Sequence, residues 1–389
     1  LETMVATPQT IIISGYYGFR NSGDEAVLQS ILIALREHAG VAGLALEPVV
    51  LSIDPEWTTA TYGVKAVHRM KLGEVRKAIA QSAGLISGGG SLLQDVTSGK
   101  TIPYYLGILK LAQWLGKPTF IYAQGIGPVN RKFFHPMIKS IFRKCAYISV
   151  RDEQSRQLLQ AMGLQGEGIE VVPDPVMGLT LAGTSGLADT GTGSAQAAGR
   201  LQKDEGQFTI GISVRYWESS RRELDAIADG LLQACAAESL HLRFLPFHHP
   251  SDNEASRYVI ERLEGKAAQG TTISLCEDAL HPQQMLQEVA DCDVLIGMRL
   301  HSLIYAAGRR VPLLGVSYDP KIDHFLARLH CRPIGATATL KGSEVTTEVL
   351  HLLREGQAWR NEREPYISAL VEEAGAPARH IVEYLRHKG

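Results

Sequence analysis

Residues 291–321 read DCDVLIGMRLHSLIYAAGRRVPLLGVSYDPK, and their reading decides the fold. VLIG and VPLLGVS are short apolar runs suited to buried strands, and RLHSLIYAAG between them carries a helical period. A crossover of this length makes the two strands parallel. Their carboxyl ends then open on one rim of the sheet, where open α/β folds bind ligands. Arg299 and His301 follow the first strand; Tyr318, Asp319 and Lys321 follow the second. A lone arginine there caps a carbonyl and a lone histidine is a satisfied core ring. Convergence with Lys321 marks the rim as a candidate anion site.

The same alternation extends in both directions. Toward the amino end it runs through TIIISG, EAVLQSILIALREH, PVVLSI, KLGEVRKAIAQS, GLISGG, TFIYAQGIG, AYISVRD, EQSRQLLQAMG and IEVVPDP. A second set starts at FTIGISVRYW and continues through ELDAIADGLLQACAAE and HLRFLPFHHP to the opening stretch. Such alternation predicts parallel sheets with helices on both faces. The fold class is therefore α/β, with two Rossmann-like βα domains facing a cleft. The boundaries are 4–177 for the first domain, 178–207 for a flexible Gly/Ala/Ser/Thr-rich linker and 208–375 for the second. At 376–389 a short amphipathic helix packs back across the domains rather than presenting its basic end to a membrane. Leu1 to Thr3 read as an extension ahead of Met4.

With 389 residues, 45% hydrophobic and 21% charged, the chain has the composition of a soluble two-domain protein. A net charge of −2 gives no long-range attraction to nucleic acid. The five cysteines are scattered, with no CxxC pair, which suits reduced thiols in the cytoplasm. The start has no signal-peptide pattern and no window is long enough to span a bilayer, so any membrane contact is expected to be peripheral.

Three arginines share one placement, each where a buried strand gives way to a loop: Arg151 in ISVRD, Arg215 in ISVRYW and Arg299 after VLIGM. An arginine there offers a two-pronged, charge-assisted grip on carboxylate or phosphate. Arg215 and Arg299, in one domain beside His301 and Lys321, make the stronger receptor. Whether Arg151 reaches the same ligand depends on the angle between domains. His248 and His249 stand at another strand end; adjacent side chains point to opposite sides, so neither is expected to hold a metal.

In the first domain GYYGFRNSGDEAVLQS joins a strand to a helix through a glycine-bearing loop, without the GK[ST] of a P-loop or a GxGxxG. Asn21 and Asp24 serve either as helix caps or as partners of ligand hydroxyls. ISGGGSLLQD allows close backbone approach, with amides at a following helix start as donors. AQGIGP is a third such end. Together Asn21, Asp24, Gly89, Gly90, Ser91, Gln94 and Gln124 form the candidate surface for a broad polar ligand such as a sugar.

GYYGFRNSGDEAVLQS, GLISGGGSLLQD, IYAQGIGP, SVRD and MRLHSLIYAAG, in this order, resemble the polysaccharide pyruvyl transferase family, specifically its cell-wall branch, which serves surface-layer anchoring. The resemblance implies a GT-B-like glycosyltransferase architecture and transfer of pyruvate from phosphoenolpyruvate to a sugar as a cyclic ketal. For that branch it implies a 4,6-ketal on N-acetylmannosamine of a lipid-linked secondary cell-wall polymer precursor. The Arg299-Leu300-His301 triplet carries over from the family; Arg215 and Lys321 rest on strand-end placement. The expected roles are donor binding by Arg215, Arg299, Lys321 and Arg151, proton transfer by His301, and activation of an acceptor hydroxyl by Asp24. No cofactor or metal is called for, phosphoenolpyruvate being a substrate.

Two other readings share these residues. A nucleotide-sugar glycosyltransferase or epimerase would place a diphosphate on Arg299, yet it usually offers a carboxylate to the ribose where Ala306, Ala307 and Gly308 stand here. A non-catalytic sugar-binding protein would make His301 dispensable.

Overall fold

The computed structural model describes residues 8–95, 100–181, 206–279 and 281–388. They fall into two compact units. The first takes the described chain up to Leu179 and again from Leu370; the second takes it from Gly206 to Ala369, with Thr180 and Leu181.

The first unit has strands β1 (Gln9–Tyr17), β2 (Leu46–Ser52), β3 (Lys65–His68), β4 (Gly84–Ser87), β5 (Gly90–Leu93), β6 (Thr119–Ile126), β7 (Tyr147–Val150) and β8 (Glu170–Val171). Its helices are α1 (Ser22–Ala42), α2 (Pro55–Tyr62), α3 (Leu72–Gln81), α4 (Thr101–Trp114), α5 (Phe134–Phe142) and α6 (Glu153–Ala161). The sheet is parallel, in the order β3-β2-β1-β4-β6-β7-β8, with β5 pairing beside β6. Strands in such a sheet are covered on both faces, and Ile11, Ile12 and Ile13 of β1 are accordingly all buried.

The second unit has β9 (Phe208–Ser213), β10 (Leu240–Phe244), β11 (Thr272–Leu275), β12 (Val294–Gly297), β13 (Leu313–Ser317) and β14 (Gly335–Ala336), with α7 (Arg222–Ala237), α8 (Ser251–Leu263), α9 (Pro282–Ala290), α10 (Leu300–Gly308) and α11 (Pro320–Arg328). Its parallel order β11-β10-β9-β12-β13-β14 is the doubly wound order, reversing between β9 and β12. In the first unit the corresponding reversal lies between β1 and β4. Open α/β sheets bind ligands at such switch points, beyond the strand carboxyl ends.

Both units secure the loop after their first strand in the same way. Glu25, in the first turn of α1, is buried; its Oε1 accepts from the Gly18 amide at 2.8 Å and its Oε2 from the Tyr62 hydroxyl at 2.8 Å. Glu223, in the first turn of α7, is also buried and accepts from the amides of Trp217 (3.3 Å) and Glu218 (3.1 Å). A carboxylate near a helix start meets both the dipole and orphan amides, which fixes the path of the loop.

Three sequence expectations change. GSLL in ISGGGSLLQD is strand β5, not a helix start: Gly90 pairs with Gln124 and Leu93 with Ile126, and the next helix begins at Thr101. Of the linker expected at 178–207, residues 182–205 lie outside the described residues. Its described ends are built into the units, since Leu179 is buried and Gln207 Nε2 donates to the carbonyls of Leu240 and Gly270. The short helix expected at 376–389 is the end of α12 (Gly342–Lys388), interrupted only at Glu355. Ile367, Leu370, Ala374, Ala378, Ile381 and Leu385 form one buried stripe at helical spacing, and this overrides the breaking tendency of Gly375 and Pro377. No helix among the described residues is long and apolar enough to cross a membrane.

Burial raises the pKa of Glu25 above that of an ordinary carboxylate, against the smaller opposing effect of its hydrogen bonds. The folded state then binds a proton more readily than the unfolded state, and stability falls as pH rises from the ordinary carboxylate range toward the raised value. Urea unfolding midpoints measured between about pH 4 and 7 should show this decline, and Glu25→Gln should flatten it.

Candidate functional site

In the second unit the residues after β9, β10, β12 and β13 assemble one cationic rim. Arg215 follows β9; its Nη1 donates to the Tyr318 hydroxyl at 3.0 Å, and its guanidinium lies 4.8 Å from the Tyr318 ring centre and 5.1 Å from that of Trp217. Flat contact with two rings holds a guanidinium without consuming its charge. Arg299, after β12, is the N-cap residue of α10 and makes a two-pronged pair with Asp252, Nε to Oδ2 at 3.0 Å and Nη2 to Oδ1 at 2.5 Å. The Asp252 side chain is fully buried, and its Oδ2 also accepts from the His248 amide at 3.0 Å.

His248 lies in the field of both cations. Partial desolvation of its ring lowers its pKa below the ordinary histidine value; Arg299 and, more weakly, Arg215 add to the shift, while Asp252 opposes it. His301 lies in the first turn of α10, half-buried, with Nε2 shielded from solvent. Arg215 and Arg299 each stand two residues beyond the paired Ser213 and Gly297 of adjacent strands β9 and β12, although Arg299 commits two of its donors to Asp252.

Lys321 is placed differently from its expected role. It is exposed and turned back on its own turn, with Nζ 3.3 Å from Asp319 Oδ2, while Asp319 caps α11. His249 is also exposed, its Nδ1 within 2.5 Å of Asn253 Oδ1.

In the first unit the rim is built around the β1/β4 reversal. Asn21 takes the cap role, its Oδ1 accepting from the Gly23 amide at 3.2 Å. Asp24 lies beside Gly90: a Cβ there would come within 2.8 Å of Asp24 Oδ1, and the φ of +88° at Gly90 is a second reason for glycine. Gly89 packs directly on Val27, where a Cβ would stand 2.8 Å from Cγ1. Gln124 does not reach the rim as expected. It is fully buried, because its strand runs through the middle of the sheet, and its Oε1 accepts from Ser87 Oγ at 3.3 Å. Gln94 is half-buried at the end of β5. Arg151, expected on the donor, is held within the first unit by Ser91 Oγ at 2.7 Å and by Asp174 Oδ2 at 3.6 Å.

Neither Asp252 nor Arg69 stands out in the sequence. Asp252 follows a strand end in HHPSD, where it reads as an ordinary helix-start residue, and only the tertiary pair with Arg299 reveals its function. Arg69 follows β3 and is the one arginine among the described residues buried as a whole residue. Among the described residues no three His, Cys, Asp or Glu side chains come together as a cation site.

Comparison with known proteins adds family and fold. The family model described as polysaccharide pyruvyl transferase matches residues 21–320. No significant match was found among curated protein sequences. A glycosyltransferase from Rickettsia africae is similar in structure with a TM-score of 0.64 at 10% identity, over 98% of this chain and 98% of that one. The UDP-GlcNAc 2-epimerase of Methanocaldococcus jannaschii gives 0.60 at 11%, over 98% and 100%. That of Neisseria meningitidis, solved with UDP-GlcNAc, gives 0.55 at 11%, over 97% and 99%. These likenesses establish an α/β fold of two parallel-stranded units like that of GT-B-type nucleotide-sugar enzymes.

Two outcomes follow from the rim. Arg299→Ala should destabilise the protein by about 3–5 kcal/mol, because it leaves the buried Asp252 charge unmatched; adding Asp252→Asn should recover most of the loss in urea unfolding. In histidine-labelled protein the His248 resonance should titrate below an ordinary histidine, and Arg215→Gln should raise its pKa by removing one repelling charge.

Proposed function

The chain belongs to the polysaccharide pyruvyl transferase family, and on that premise we propose that it moves the pyruvyl group of phosphoenolpyruvate onto two hydroxyls of a sugar, releasing phosphate. The acceptor in this reading is an N-acetylmannosamine residue on a lipid-linked precursor of secondary cell-wall polymer, the attachment point of surface-layer proteins. The product is a 4,6-ketal, formed in the cytoplasm at the inner face of the membrane. The observation that carries the reading is the family match across residues 21–320, which includes Asp24, Gly90, Arg215, His248, Arg299 and His301.

The chemistry asks for what the second unit offers. Phosphoenolpyruvate carries a carboxylate and a phosphate on one carbon. Arg215 keeps its charge while held against two rings, and Arg299 is oriented by Asp252, so the pair suits two anionic groups presented together. His248, biased toward its neutral form, avoids a third fixed charge and adds a hydrogen-bonding group. The methylene carbon must gain a proton before a hydroxyl attacks its neighbour, and a second hydroxyl then displaces phosphate. One hydroxyl proton replaces the proton given to the methyl group and the other leaves with phosphate, so no redox partner is needed. His301 is assigned the proton transfer, since imidazole changes charge near neutral pH. In the first unit Asp24, against Gly90, is assigned to orient and deprotonate an acceptor hydroxyl laid on the glycine backbone. Lys321 joins the donor site only by leaving Asp319.

A second reading, a glycosyltransferase or epimerase acting on a nucleotide sugar, is favoured by the whole-chain fold likeness to UDP-GlcNAc 2-epimerases. Against it stands the end of α10, where Ala306, Ala307 and Gly308 are buried and offer no carboxylate to a ribose.

Phosphate release from phosphoenolpyruvate, with and without a lipid-linked N-acetylmannosaminyl acceptor analogue, tests the proposal. Release should depend on acceptor, and the product mass should rise by one pyruvyl unit less water. His301→Ala should lower kcat by about 100-fold or more, while Arg215→Ala should act chiefly on the KM for phosphoenolpyruvate. Acceptor-independent release, or an unchanged acceptor mass, contradicts ketal formation.

A further inference from the structure

Arg69 stands on the carboxyl rim of the first unit's sheet, immediately after β3. Its Nη1 donates to the Gly15 carbonyl at 3.0 Å and its Nη2 to the Tyr105 hydroxyl at 3.3 Å. The rings of Tyr104, Tyr105 and Phe19 surround the guanidinium at 4.3, 5.4 and 5.4 Å from their centres. The residue is 7% exposed. Arg151, Arg243 and Arg299 each reach a carboxylate, at 3.6, 2.8 and 2.5 Å, whereas Arg215, like Arg69, meets rings and a phenol. Among the described residues Arg69 meets a carbonyl, a phenol and three ring faces, none of which carries a full negative charge.

The phenols do not supply that charge by ionising. Burial pushes the Tyr105 hydroxyl up to about 12 and raises that of Tyr104 as well, with Arg69 lowering both by less. Ring faces lessen the burial cost of a cation without neutralising the group. Of the five N–H donors of a guanidinium, two are engaged with neutral acceptors.

A second unmatched donor stands close by. The Tyr17 hydroxyl at the end of β1 is fully buried and has no hydrogen-bond partner among the described residues. It points at the backbone of the glycine junction, where a Cβ on Gly88 would lie 2.3 Å from its oxygen. Beside the cage opens a cavity of about 670 Å³ whose lining mixes Arg20, His68 and Lys71 with Asp54, Glu56 and Glu74; Phe19 is a wall of both.

We propose that Arg69 is an anion subsite in the first unit that takes a phosphate ester borne by the acceptor sugar, so that the acceptor is read as a phosphate-linked conjugate rather than as a neutral glycan. The inference rests on the reading that the first unit holds the acceptor. It adds a specificity residue on that side: Arg69 supplies charge and geometry to the ester, while Asp24 meets the hydroxyl.

The test compares three acceptors of the same sugar with the full-length protein: a methyl glycoside, the 1-phosphate and a lipid diphosphate in detergent micelles. The wild type should favour the 1-phosphate over the glycoside by about tenfold or more in kcat/KM, the scale of one charge-assisted contact. Arg69→Gln should bring that ratio near one, and Arg69→Lys should retain part of it. A gain already complete with the 1-phosphate assigns the contact to a sugar phosphate, and a further gain with the micellar conjugate assigns it to the carrier's diphosphate. A wild-type ratio near one, or an undiminished ratio in Arg69→Gln, overturns the proposal. Calorimetric titration of the 1-phosphate without donor separates this from the pyruvyl transfer reading. Binding weakened about tenfold by Arg69→Gln supports the subsite even where no ketal forms; no binding to the wild type removes it even where the neutral glycoside is pyruvylated. Should the variant not fold, competition by inorganic pyrophosphate against the 1-phosphate in the wild type decides the same question: displacement supports the subsite, and none overturns it.

Discussion

The buried Asp252 carboxylate is the fixed point of the second unit's rim. Removed from water, it needs charge and hydrogen bonds in return, and it obtains them from both prongs of Arg299 and from the His248 amide. These contacts tie the start of α8 to the loop after β10 and the end of β12. The start of α10, and with it His301, is held by this charge pair together with the buried Met298, whose amide donates to the Ser213 carbonyl at 2.8 Å. Arg299 is at once a structural and a candidate ligand residue, and its loss of function on truncation has to be separated from its loss of stability.

A parallel constraint acts at the first strand of each unit. Glu25 and Glu223 are carboxylates from different sequence surroundings, yet each is buried at a helix start and receives amides of the loop before it. Both loops pass over a switch point, so each buried carboxylate shapes a ligand rim while itself facing inward. The first unit adds the Arg69 cage and the close fit of Asp24 on Gly90; the second adds Arg215 against two rings. The shared scaffold carries different chemistry in its two halves.

The alternating strands and helices, the parallel sheets and the placement of Arg215 and Arg299 were legible from the sequence, because each depends on local period and on where a strand ends. The family was legible from five motifs in order. What was not legible depends on long-range pairing. Gly90 to Leu93 reads equally as a helix start or a strand until its partner β6 is known. Gln124 reads as a rim residue until its neighbours cover it. Lys321 reads as a ligand cation until Asp319, two residues earlier, takes it. Asp252 and Arg69 carried no motif at all, since their significance lies in what they meet, or fail to meet, across the sheet. Gly375 and Pro377 read as punctuation, whereas a continuous buried stripe holds α12 together through them.

The most direct measurement is the response of the His248 and His301 resonances, in histidine-labelled protein, to phosphoenolpyruvate and to UDP-GlcNAc added separately. The account predicts that phosphoenolpyruvate shifts both resonances, that UDP-GlcNAc leaves them in place, and that Arg215→Ala weakens the response by about tenfold or more. Shifts produced by UDP-GlcNAc and not by phosphoenolpyruvate would contradict it and make the rim around Arg299 a nucleotide-diphosphate site.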